Sequence, residues 1–316
     1  MALNAGLSGA QVGIDAAEGP YRGQARFRLW SASLHLSKKI GADDEHQLRL
    51  SLARSFTPPD ADRYTLRPLI HPLAPCPASG VCGANTVATA DASGNIGLQP
   101  ERALGLNLAY QHSIADNSEF TLELYTRRID NKVGEQIALE SVAWSAAPRY
   151  VARPANLGEA RASGIDAEME LALRDFDEDA PKVTLRASVG LARSHVASLP
   201  GPDNRLDKQS PWTAKLGAAY GMQGEPLKFN LNANWSPAVW ARTSLAERSK
   251  LARRFELDAS AIWTIDNKQR LVVDLKLRSP RVAQQVNEYR EDGGQFRLYT
   301  DASRYQQLNV RFETTL

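Results

Sequence analysis

Stretches of about ten residues with an apolar side chain at every second position recur along this chain, and the connections between them alternate between short and long. In Leu227–Trp235 one face carries Leu227, Phe229, Leu231, Ala233 and Trp235, and the other Lys228, Asn230, Asn232 and Asn234. Side chains of an extended strand point alternately to its two faces, so the segment is apolar on one side and polar on the other. Phe120, Leu122 and Leu124 oppose Thr121, Glu123 and Tyr125 in the same way. Ile165, Ala167, Met169, Leu171 and Leu173 oppose Asp166, Glu168 and Glu170. Phe255, Leu257, Ala259, Ala261 and Trp263 oppose Glu256, Asp258 and Ser260, and Leu271, Val273, Leu275 and Leu277 oppose Asp274, Lys276 and Arg278.

The pattern predicts strands near 24–38, 45–56, 102–113, 117–130, 160–174, 182–196, 211–221, 226–237, 252–265, 268–279 and 304–315, with a further one near 5–15. Soluble sandwiches also contain two-faced strands, so alternation alone leaves two fold classes open. The connections separate them. Those at 39–44, 114–116, 175–181, 222–225 and 266–267 are short and rich in Gly, Asp, Asn and Pro, whereas 57–101, 131–159, 197–210, 238–251 and 280–303 are long. Regular alternation of short turns and long loops is the habit of outer-membrane barrels, and a compact soluble domain tolerates few long loops. A tilted membrane strand needs about 9–11 residues to cross. The expected fold is therefore all-β: an antiparallel up-and-down transmembrane barrel, or part of one, with lipid on the apolar side and a polar lumen.

Composition agrees. With 43% hydrophobic residues and a mean hydropathy of −0.39, the chain contains nothing like the ~18-residue apolar run of a membrane helix. A barrel strand needs only alternate apolar positions. The net charge of +2 gives no electrostatic footprint for nucleic acid. Of the six tryptophans, Trp30, Trp144, Trp212, Trp235, Trp240 and Trp263, most fall near strand ends, where an interfacial aromatic girdle would lie.

Cys76 and Cys82 lie in the longest loop. Two thiols cannot complete a structural zinc site, and a disulfide within the loop is expected, which implies an oxidising compartment. The five histidines, His35, His46, His71, His112 and His195, have no evident catalytic partner, and no Gly-x-Ser-x-Gly, His-Glu-x-x-His or phosphate loop occurs. Asp166, Glu168 and Glu170 read as lumen wall. No catalytic residue, cofactor or metal site is expected. The first residues, Met1–Gln11, have neither the positive nor the apolar region of a secretory signal, so the chain reads as lacking its natural beginning.

Several segments resemble the C-terminal barrel portion of TonB-dependent outer-membrane receptors. Leu48–Pro59 is similar to the family strand that ends in an "S-F-x-x-P" corner. Asn95–Arg102 resembles its "N-x-x-L-x-P-E" lead-in to the next strand, and Leu124–Asn131 a "Y-x-x-x-I-x-x" strand exit. The fullest match is Asn156–Glu168, to "N-x-G-x-A-x-x-x-G-x-E". Lys208-Gln209-Ser210-Pro211-Trp212 sits where the family has a Pro corner. The matches come in family order from about residue 24 onward. Two departures stand out. The chain ends Glu313-Thr314-Thr315-Leu316 rather than on an aromatic residue, and no plug domain or first barrel half is present. Large transporters of this type have about 22 strands; the sequence here supplies eleven or twelve.

The resemblance implies a single domain over 1–316 that is part of a receptor barrel in the outer membrane of a Gram-negative bacterium. It implies TonB-dependent uptake of a scarce nutrient, a ferric siderophore above all, with the TonB complex acting through the missing plug. It also implies contact with membrane lipid and lipopolysaccharide. Loop Arg and aromatic residues suit an anionic chelate: Arg63, Tyr64, Arg67 and His71 in the first long loop, Trp240 and Arg242 in a later one, and Tyr289, Arg290 and Tyr299 in the last. The alternative for each is that it folds its loop or touches lipopolysaccharide. Two other functions fit a barrel of this size, an autotransporter translocator and an outer-membrane phospholipase. The first needs a pore-threading helix that residues 1–23, with their glycines, do not suggest, and the second needs a Ser–His dyad.

Overall fold

In the computed structural model the described residues are 1–41, 44–77, 82–207, 209–279, 285–291, 294–300 and 304–314, with backbone alone for 285–287, 290–291 and 294–300. The strands are β1 (Ala2–Glu18), β2 (Tyr21–Ile40), β3 (His46–Thr57), β4 (Asp91–Ala92), β5 (Glu101–Ala115), β6 (Ser118–Asp130), β7 (Val133–Glu140), β8 (Arg149–Asn156), β9 (Ala160–Ala172), β10 (Lys182–Val196), β11 (Trp212–Gly221), β12 (Leu227–Ser236), β13 (Val239–Arg242), β14 (Glu247–Leu251), β15 (Arg254–Thr264), β16 (Gln269–Ser279), β17 (Gln285–Glu291), β18 (Gly294–Thr300) and β19 (Tyr305–Thr314). Among the described residues the only helical segments are short 3-10 turns, at Ala61–Tyr64, Val87–Thr89 and Leu173–Asp175.

Twelve strands make one antiparallel sheet in the order β1-β2-β3-β5-β6-β9-β10-β11-β12-β15-β16-β19. They correspond to the eleven expected segments and the further one near the N-terminus. Among the twelve, each pairs with the strand before and after it in the sheet's chain order; where a short turn joins two strands, no other antiparallel arrangement is open to them. β1 and β19 are edges and do not meet, so the sheet is an open part of a barrel.

The register explains the two-faced sequence. Leu3, Leu36, Leu50, Leu108, Leu124, Ile165, Leu191 and Trp212 form one continuous cross-strand row. On the opposite face Gln47, Gln111, Thr121, Glu168, Ser188, Lys215, Asn234, Glu256, Arg278 and Tyr305 form another. A register slip of one residue would exchange the two faces. Many residues of the first row stay exposed, as a lipid-facing wall requires; Leu50, Leu108, Leu124, Ile165, Leu191 and Trp212 are examples. At the short-turn end, the turn residue Asn117 and Ser118 both donate to the Asp175 carboxylate, tying adjacent turns together.

The long loops are not without regular structure of their own. The first two contribute a three-stranded sheet, β4-β8-β7, and the last two a four-stranded sheet, β13-β14-β17-β18. The first connection, Gly19–Pro20, is a tight turn with Gly19 at φ +58°, so β1 and β2 run on as a long hairpin on the side of the long loops. Two of the six tryptophans, both in the long connections, are taken up by the small sheets and their surroundings. Trp144 donates to Asp91 at 2.9 Å inside a loop, and Trp240 lies in β13.

Candidate functional site

The long-loop end of the sheet carries a structured cap. In its first part, Arg149 of β8 and Asp91 of β4 are both fully buried. Arg149 Nε donates to Asp91 Oδ2 at 2.6 Å and Nη2 to Oδ1 at 2.8 Å. The same guanidinium donates to the carbonyls of Ala74 (2.8 Å) and Gly83 (2.6 Å). Those carbonyls flank the Cys76–Cys82 disulfide, whose Cα atoms are 4.2 Å apart. Asp91 accepts further bonds from the Trp144 indole (2.9 Å) and the His71 amide (3.1 Å). Burial on its own would raise this carboxyl. The bonds from Arg149, Trp144 and His71, with the Arg149 charge, outweigh burial and hold it below the ordinary carboxylate range.

The segments that resemble family motifs hold this cap to the sheet. Asn95 donates to Pro154 O at 3.0 Å and accepts from the Gly97 amide at 2.9 Å. Leu98 is fully buried with Phe27, Leu29 and Tyr64. Glu101 takes the Lys132 ammonium at 2.6 Å and the Val133 amide at 2.7 Å. Asn156 is paired both ways with the backbone of Gln99, at 2.9 Å each. Gly164 admits no side chain, since a Cβ there would lie 2.5 Å from the Tyr125 hydroxyl.

The second part of the cap is the β13-β14-β17-β18 sheet. Arg248 bridges Asp203 (3.0 Å) and Glu288, and its guanidinium lies 4.5 Å from the centre of the Trp240 ring; Lys250 flanks that ring at 5.6 Å. The two carboxylates paired with Arg248 raise its already high pKa further. β17 touches the Val87–Thr89 turn, so the two parts of the cap meet. Glu247 and Glu135 carry raised carboxyl pKa values. For Glu247 burial is the main cause, with Asp207 adding and bonds from Thr243 and Tyr289 opposing. For Glu135 burial again leads, reinforced by the charge of Glu247 and opposed by Arg63.

The expected ligand contacts divide accordingly. Tyr64 is a correction: it is fully buried, its ring centroid lies 6.5 Å from that of Phe27, and its hydroxyl donates to Leu98 O at 3.2 Å. Arg242 is another, only 7% exposed, with its amide on Asp203 O and Nη1 on Leu245 O. His71 accepts the Leu73 amide on Nδ1 and helps hold Asp91. Arg67 is exposed and Arg63 half-exposed. Trp240 and Tyr289 both lie in the second sheet, but on opposite faces: Trp240 stands opposite Lys250, and Tyr289 opposite Glu247, three residues away on the same strand. The side chains of Arg290 and Tyr299 lie outside the described residues; their backbones pair with Gln295 and Val286. Sequence reading missed Arg149, Asp91, Glu135, Glu247 and Arg248, whose partners are remote in the chain. Apolar periodicity carries no signal for such contacts.

The family model for the TonB dependent receptor-like β-barrel matches residues 3–307. The chain belongs to this family. Its barrels are outer-membrane transport proteins of Gram-negative bacteria, and members are receptors rather than enzymes. The FrpB iron transporter of Neisseria meningitidis superposes with a TM-score of 0.58 at 11% identity, over 98% of this chain and 42% of that one. The ferric enterobactin receptor of Pseudomonas aeruginosa gives 0.56 at 15% identity, over 81% and 36%. The copper transporter OprC gives 0.56 at 12% identity, over 87% and 39%. At such identities the likeness is one of fold. The chain spans less than half the length of each of these structures. No curated protein sequence matches it.

Proposed function

We propose that residues 1–316 are the C-terminal barrel portion of an outer-membrane receptor that imports a ferric siderophore by TonB-dependent transport. The observation that carries the reading is the structured cap of two small sheets on the long-loop end of a receptor-type barrel wall. That cap presents Trp240 with the cations Arg248 and Lys250 of the neighbouring strand close to its ring, and exposed Arg67 on the other part. Flat aromatic surface beside fixed positive charge suits an anionic aromatic chelate better than a bare metal ion. The plug and the first half of the barrel belong to the remainder of the receptor. The plug is the part that the TonB complex engages, and the apolar wall and loop tips meet lipid and lipopolysaccharide.

The test is uptake of iron-55 siderophore. Cells exporting only residues 1–316 behind a supplied signal peptide accumulate none above an empty-vector control. A receptor carrying this segment accumulates it only when the TonB complex is intact, and Trp240→Ala lowers its apparent affinity about tenfold, the scale of one lost anchor. Energy-dependent accumulation by residues 1–316 alone would overturn the assignment, as would copper uptake in place of iron.

A further inference from the structure

A cluster of metal-ligating side chains lies at the other end of the molecule, away from the cap. His46 opens β3 and His112 stands directly opposite it on β5, with ring centroids 4.4 Å apart. Glu45, in the turn before β3, joins them: one ligand atom from each of the three lies within 4.8 Å of the others. His46 shares its strand face with Leu48, Leu50 and Leu52, and His112 shares its face with Leu104, Leu106 and Leu108. The cross-strand row Ile40, His46, His112, Phe120, Met169 is the apolar wall's row at the short-turn rim. In barrels of this kind that rim is periplasmic.

Several features hold the cluster in place. The Tyr110 hydroxyl is 2.9 Å from His46 Nδ1, which fixes that ring and leaves Nε2 as its ligand atom. Tyr110 also stacks on the His46 ring at 5.9 Å between centroids. The Ser113 amide donates to Glu45 O at 2.8 Å, holding the turn against β5. That turn needs left-handed backbone at Gly41 (φ +108°) and Asp44 (φ +59°).

We propose that Glu45, His46 and His112 bind one divalent transition-metal ion, such as Cu²⁺ or Zn²⁺, at the lipid-facing periplasmic rim. Two imidazoles on opposed positions of neighbouring strands are brought together by the sheet itself, so chelation costs little reorganisation. Two nitrogens and one carboxylate suit Cu²⁺, Zn²⁺ or Ni²⁺. Ca²⁺ requires six or more oxygen ligands, which this set lacks. Three protein ligands leave a position for water. Tyr110 is a positioning residue that orients His46. The bound ion ties the β2–β3 turn to β5, and its binding does not depend on which nutrient the cap captures.

The experiment uses the full chain without a histidine tag, purified in detergent, stripped with chelator and titrated with CuCl₂ under electron paramagnetic resonance. The wild type takes up one Cu²⁺ with hyperfine structure from two nitrogens. His46→Ala and His112→Ala each abolish the two-nitrogen signal. Tyr110→Phe keeps that signal but weakens binding about tenfold, the lower end for loss of an orienting hydrogen bond to a ligand. Far-UV circular dichroism verifies that each variant folds, and His46→Gln and His112→Gln carry the comparison if an Ala variant does not. Absence of the two-nitrogen signal in the wild type would overturn the proposal. So would its persistence, at unchanged stoichiometry, in the folded double variant.

Discussion

Arg149 and Asp91, remote in sequence, form a two-pronged ion pair with both side chains fully buried. The pair closes on the two ends of the disulfide loop through Ala74 and Gly83. Asp91→Ala would leave a buried guanidinium uncompensated, and breaking such a pair costs about 3–5 kcal/mol. The expected result is rapid proteolysis within 58–101 while the twelve-stranded sheet stays protected. Unchanged cleavage would show that the pair does not hold the cap.

The same carboxylate makes the cap acid-sensitive. The folded Asp91 pKa lies below its unfolded value. Its contribution is therefore fully present above the ordinary carboxylate range near 3.9, and is lost as pH falls through the lower, folded value. Hydrogen exchange of the His71 and Tyr150 amides, followed downward from neutral pH, should show protection falling only below that range. Asp91→Asn removes this dependence.

Glu135 and Glu247 work in the opposite direction. Their raised pKa values mean that the folded cap binds protons more tightly than the unfolded chain. The cost of ionising them is absent below the ordinary carboxylate range and full above the folded values. Glu247→Gln should therefore stabilise the cap at neutral pH and have no effect near pH 3. Loop-specific proteolysis at the two pH values checks the sign. Lower stability at neutral pH would refute it.

Cys76 and Cys82 should resist thiol labelling in exported protein until a reductant is added. Cys76→Ser with Cys82→Ser should cost the local loop about 2 kcal/mol, the chain-entropy value for so small a ring. Two freely reactive thiols in exported protein would sink the pairing.

The two faces of the wall should differ in their tolerance of charge. Leu124→Arg faces lipid and should cost about 2–4 kcal/mol near the bilayer midplane. Ser188→Arg lies in the polar row and should be close to neutral. Folding into lipid vesicles under urea titration measures both.

The wall of this protein was legible in its sequence. A strand's two faces are set by a period of two, so Leu227–Trp235 or Phe255–Trp263 discloses its apolar side without knowledge of its neighbours. Turns such as Asp266-Asn267 then leave adjacent antiparallel pairing as the only topology. The cap was not legible. Its strands are short, its polar residues have no period, and its contacts join Asp91 to Arg149 and Arg248 to Glu288 across long stretches of chain. Tyr64 and Arg242 looked like ligand contacts because a residue's type does not reveal which way a loop folds. The His46–His112 pair was hidden for the same reason. Each histidine merely continues an alternating strand, and only the register between β3 and β5 sets them face to face. Local periodicity determined the sheet, and tertiary pairing decided where the chemistry gathers.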